Sequence, residues 1–110
     1  MSAKQKKFKT VGGYLRSNEG KILSKLPTDD VGRRVAAVQA GQREVINHLL
    51  PQIGITDRIA DTEAPRDGIA RLIAVDGKTA QQVDALTACE RWLKNFIIPL
   101  SSKATEWRSP

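Results

Sequence analysis

The sequence predicts a mainly α fold. It reads as one small domain of about three helices, over residues 29–50, 65–75 and 79–98, preceded by an N-terminal β-hairpin. Three observations predict this. Apolar residues recur at helical spacing through most of the chain beyond residue 27. Caps and helix breakers sit at the ends of those runs. The one apolar run near the N-terminus is interrupted by three glycines and looks instead like strand, turn and strand. At 110 residues the chain is the size of a single ordinary domain.

The N-terminal run is KKFKTVGGYLRSNEGKIL. Val11, Tyr14, Leu15, Ile22, Leu23 and Leu26 would fit one helical stripe, but Gly12, Gly13 and Gly20 lie inside it. Each glycine costs about 1 kcal/mol relative to alanine in a helix interior. Ser17-Asn18-Glu19-Gly20 has turn composition, with Gly20 suited to the left-handed position after a type I turn. A hairpin over residues 7–26 is therefore expected.

Pro27 closes that segment, and Thr28 is the expected cap of the first helix, with Asp29 and Asp30 in its first turn facing the helix dipole. Val31, Val35, Val38, Val45 and Leu49 form the expected seam, interrupted by Gln42, with Arg33, Arg34, Arg43 and Glu44 outside it. Pro51 ends it. Residues 51–65 read as a connection whose Ile53, Ile55 and Ile59 pack on the core. Pro65 suits the first turn of the second helix, Ile69, Leu72 and Ile73 form its buried face, and Asp76-Gly77 stops it. Thr79 and Gln82 have capping-box spacing for the third helix. Its expected stripe is Val83, Leu86, Leu93, Phe96, Ile97 and Leu100, with Cys89 and Trp92 beside it and Pro99 as the stop. The organisation that follows is a basic arm or hairpin (1–26), a helical domain (27–100) and a polar tail (101–110).

Charge is the main functional signal. Residues 1–25 carry seven bases against the single acid Glu19, a net of +6, which is the net charge of the whole chain. The remaining residues balance eleven bases with eleven acids. A basic end on a neutral body is the footprint of a phosphate-binding protein; the plainer alternative is solubility. The expected contacts with nucleic acid are Lys4, Lys6, Lys7, Lys9, Arg16, Lys21 and Lys25 for charge, with Phe8 and Tyr14 for stacking. Either DNA or RNA would serve, with little sequence preference. The alternative is an adaptor or assembly subunit that docks on protein through the hairpin and the tail around Trp107 and Arg108.

Other candidate chemistry is weak. Asp76-Gly77-Lys78-Thr79 matches only the end of a phosphate loop, because Leu72 stands where the first glycine is required. Residues 79–96 have a partial helix-turn-helix cadence, but Asp84, Ala88 and Leu93 break it, and one continuous helix fits every residue. Cys89 and His48 allow a nucleophile pair by count alone, and Cys89 belongs to an apolar stripe. Asp57, Asp61, Glu63 and Asp67 are interleaved with Arg58 and Arg66 and read as a salt-bridged surface. No catalytic or metal-ligating set and no cofactor are expected, so the chain reads as non-enzymatic. No apolar run approaches the ~20 residues of a membrane span. With one cysteine no intrachain disulfide can form, and a reducing, cytoplasmic location is expected.

Overall fold

A computed structural model describes residues 10–27 and 30–98. Within these residues the protein consists of four α-helices: α1 (Val11–Leu23), α2 (Val31–Leu49), α3 (Pro65–Ala74) and α4 (Ala80–Asn95). One 3-10 turn, Leu50–Ile53, follows α2.

The expected hairpin is overturned from residue 10 onward, since the chain there is α1; its residues 7–9 lie outside the described residues. The local cost of the glycines is real but small in this setting. Gly12 and Gly13 lie in the first turn, where the Thr10 hydroxyl accepts the Gly13 N–H at 3.0 Å and so caps the helix. Leu15 is completely buried and Ile22 nearly so. Each such side chain contributes roughly 1.5–3 kcal/mol when taken out of water. Two long-range hydrogen bonds add to this. Tyr14 donates its hydroxyl to the Val45 carbonyl at 3.1 Å, and Trp92 donates its indole N–H to Glu19 at 2.9 Å. Together these exceed the helix-propensity deficit.

These contacts also fix the topology. α1 packs between α2 and α4. It runs antiparallel to α2, with Tyr14 by Val45 and Ile22 against Gly41. It runs parallel to α4, with Gly12 near Ala85 and Glu19 bonded to Trp92. Gly41 sets the α1–α2 approach: a Cβ there would stand 3.0 Å from Ile22 Cγ1 and 3.2 Å from Cγ2. α3 packs mainly on α4.

α2 begins two residues later than expected. Its cap is Asp30, whose carboxylate accepts the Gly32 N–H at 3.1 Å; Thr28 lies outside the described residues. Its buried positions are Arg34, Val38, Gln42, Ile46 and Leu49. The seam is therefore rotated from the expected valine row, and Val31 is exposed. Arg34 belongs to the buried side rather than outside it: its guanidinium donates to the Pro27 carbonyl at 2.6 Å, which satisfies part of a buried cation. The turn after α2 starts at Leu50, carries Pro51 in its first positions and closes at Gly54, whose φ of 83° is left-handed.

The connection is held by Asn47. Its side-chain amide donates to the Ile59 carbonyl at 3.0 Å, and its oxygen accepts the Ile59 N–H at 2.8 Å. Ile59 is thereby seated in the core, against Gly68 of α3. α3 starts at Pro65 as expected. It ends one residue early, with Gly77 left-handed at φ 90° in the link to α4.

Residues 80–95 form one unbroken helix, α4, and Thr79 with Gln82 makes the reciprocal capping box. The expected third helix reaches to 98, but α4 stops at Asn95. Pro99 has no N–H to give the Asn95 carbonyl, and proline disfavours helical backbone at Ile98 before it. Phe96 leaves in extended conformation and meets Trp92 edge to face, with ring centroids 5.4 Å apart. Two members of the expected stripe are on the surface: Ile97, beyond the helix end, is 83% exposed, and Val83, in the first turn of α4, is exposed as well. Leu100 lies outside the described residues. No helix among the described residues is long and apolar enough to cross a membrane.

Candidate functional site

Lys4, Lys6, Lys7, Phe8 and Lys9, and in the tail Trp107 and Arg108, lie outside the described residues. The four remaining sequence-predicted residues are on α1 or the turn that follows it. Arg16, Lys21 and Lys25 are exposed, the last just beyond the helix end, and Tyr14 is half-buried. Helical geometry separates Arg16 from Lys21 by roughly 140° around the axis at about 100° per residue. Lys21 and Lys25, four residues apart, share one edge.

Glu19 decides the sign of this surface. It is the only acid in the first 25 residues. Its carboxylate accepts the Trp92 indole N–H at 2.9 Å on the α4 side of α1. The lone negative charge is drawn into the helix interface, and the charged groups left on the outer arc of α1 are basic.

Between α1 and α2 runs a groove of about 530 Å³, within the roughly 300–1,000 Å³ typical of ligand sites. Tyr14, Asn18, Lys21, Ile22 and Lys25 line it from α1, and Ala37, Ala40, Gly41, Glu44, Val45 and His48 from α2. The small residues of α2 make its width. Near Gly41 the helices approach closely, and at Ala37 and Ala40 no long side chain fills the gap. The Asn18 amide N–H donates to the Tyr14 carbonyl at 2.8 Å. No salt bridge among the described residues engages Lys21, Lys25 or Glu44. Burial, and to a lesser degree the neighbouring Cys89 thiol, raises the Tyr14 phenol above its ordinary value.

Sequence reasoning placed Tyr14, Lys21 and Lys25 among the contacts but missed Asn18, Glu44 and the groove itself. The available signal was the small-residue run Ala36, Ala37, Ala40 and Gly41 on a helix, which permits close approach while leaving space beside it.

The remaining candidates resolve into structural roles. Cys89 is completely buried, and burial pushes its thiol up to about 12. It is a poor nucleophile there. His48 is exposed on α2 and lines the groove. Glu63 accepts two hydrogen bonds from Arg71, at 2.8 and 2.9 Å, and one from the Ala60 N–H at 3.1 Å. The Arg71 hydrogen bonds chiefly, then the Ala60 N–H, lower the Glu63 carboxyl to about 2. Arg71 also donates to the Arg58 carbonyl, and Arg43 donates to the Glu63 carbonyl. The acidic stretch is thus cross-linked to the connection. No group of three or more metal-ligating side chains converges among the described residues.

Asp76-Gly77-Lys78-Thr79 is a helix stop followed by a cap, with no cradle of backbone N–H groups. No known family model, curated protein or solved structure matches this chain, so every role assigned to a residue rests on its own geometry and chemistry.

Proposed function

We propose that this is a small, non-enzymatic nucleic-acid-associated protein. Its basic N-terminal segment and the outer edge of α1 grip phosphate in DNA or RNA with little sequence preference. The observation that carries the reading is the position of Glu19 against Trp92, which turns the one acid of the first 25 residues toward α4 and leaves the outer arc of α1 basic. Lys4, Lys6, Lys7, Lys9, Arg16, Lys21 and Lys25 supply the charge, and Phe8 and Tyr14 the aromatic surface. The unpaired, buried Cys89 thiol suits a reducing, cytoplasmic setting.

The test is fluorescence anisotropy of the full chain with short labelled DNA and RNA across a salt series. Wild type is expected to bind with a steep salt slope. Replacing Lys4, Lys6, Lys7 and Lys9 by Gln is expected to lower that slope by about 3. Absence of binding at low salt would overturn the reading. A second reading, a protein-docking subunit, is favoured by Ile97, an apolar side chain 83% exposed close to the tail that carries Trp107.

A further inference from the structure

Resting on that reading, we propose that the α1–α2 groove takes an unpaired nucleotide of a single strand, with its phosphate at the α1 edge and its base toward α2. The groove is chemically asymmetric in a way that matches this ligand. Lys21 on the last turn of α1 and Lys25 just beyond the helix end both line it, four residues apart, and like charges held that close repel. No salt bridge among the described residues relieves them. A phosphate oxygen between them would.

Glu44 lines the opposite wall and likewise makes no ion pair among the described residues. A site built only for an anion would not hold a free carboxylate, which repels phosphate and acidic peptide alike. A nucleotide differs, because its anionic end is separated by a sugar from a base edge rich in N–H donors. A carboxylate accepts such donors, the N4 amine of cytosine in particular. Between the two charged walls lie Ala37, Ala40 and Gly41, which offer an apolar floor and room for a ring. Tyr14 and His48 line the same groove, and aromatic rings are the usual partners of splayed bases. A duplex keeps its base faces stacked and its width out of the groove, so only an unpaired base meets these groups.

The experiment compares the full chain with labelled oligo-dC, oligo-dT and a hairpin duplex at fixed low salt. Ala40 is exposed, so Ala40→Phe fills the groove without entering the core; far-UV circular dichroism verifies the fold. Oligo-dC is expected to bind tighter than oligo-dT and tighter than the duplex. Ala40→Phe is expected to weaken oligo-dC about tenfold and leave the duplex unchanged. Glu44→Gln is expected to erase the preference for dC over dT and serves as the milder variant. Equal binding of single strand and duplex, untouched by Ala40→Phe, would overturn the groove assignment while leaving the phosphate-gripping function standing. No binding to any of the three removes both. Binding of an oligo-glutamate peptide that Ala40→Phe abolishes, with no effect on oligo-dC, would assign the groove to protein and overturn the proposal.

Discussion

Replacing Gly20 by alanine should stabilise the protein, and the sign of the change is diagnostic. Gly20 sits inside α1 on its exposed side, and a Cβ there would meet nothing within 4 Å. Its backbone is outside the left-handed region. Alanine at such a site gains roughly 0.5–1 kcal/mol from helix propensity and a less flexible unfolded chain. At about 4–8 °C per kcal/mol, that raises the thermal midpoint by about 2–8 °C. In a hairpin, the same residue would occupy a left-handed turn position, where a side chain costs roughly 1–2 kcal/mol. Gly41→Ala is the internal control. It gains the same propensity term, but its Cβ would press on Ile22 at 3.0 and 3.2 Å, at branch atoms of a buried side chain. Overpacking costs about 1–3 kcal/mol, so a net loss is expected. Urea and thermal unfolding followed by far-UV circular dichroism read both. A destabilised Gly20→Ala, or a Gly41→Ala as stable as Gly20→Ala, would refute the account of α1 and its crossing with α2.

Two further outcomes follow from the core. Asn47→Ala removes both hydrogen bonds to the Ile59 backbone and leaves that buried residue's N–H and carbonyl unsatisfied; a loss of about 2–3 kcal/mol in urea unfolding is expected. Burial pushes the Cys89 thiol from its ordinary value of 9.0 up to about 12 in the folded protein. The folded state therefore binds more protons than the unfolded state between those values, and stability should fall as pH rises through that window, by up to ~1.4 kcal/mol per pH unit. Cys89→Ala should flatten that part of the alkaline stability profile, and an unchanged profile would refute the burial-driven shift.

The helices that the sequence made legible are those whose ends carry punctuation. Pro65, Gly77, and Thr79 with Gln82 mark boundaries by local sterics and hydrogen bonding, and the structure places α3 and α4 within a residue or so of the marked starts. α1 was not legible, because what makes it a helix is far away in sequence. Its glycines argue against it locally, while Val45, Gly41 and Trp92 argue for it only once the chain is folded. Arg34 illustrates the same limit. A charged side chain reads as surface, yet a backbone carbonyl seven residues earlier gives it a place inside. The groove was invisible for a related reason. Lys21, Lys25 and Glu44 are unremarkable as separate charges, and only the antiparallel crossing of α1 and α2 sets them across one cleft.

The hydrogen bond between Glu19 and Trp92 joins residues 73 positions apart. On a ribosome adding roughly 5–20 residues per second, the first helix waits about 4–15 s for the last one to be made. Until then one flank of a glycine-rich helix has no partner, and its carboxylate is open to water. The α2 side of α1 can be covered as soon as α2 exists, whereas its α4 side is covered only once the last of the described helices has been made.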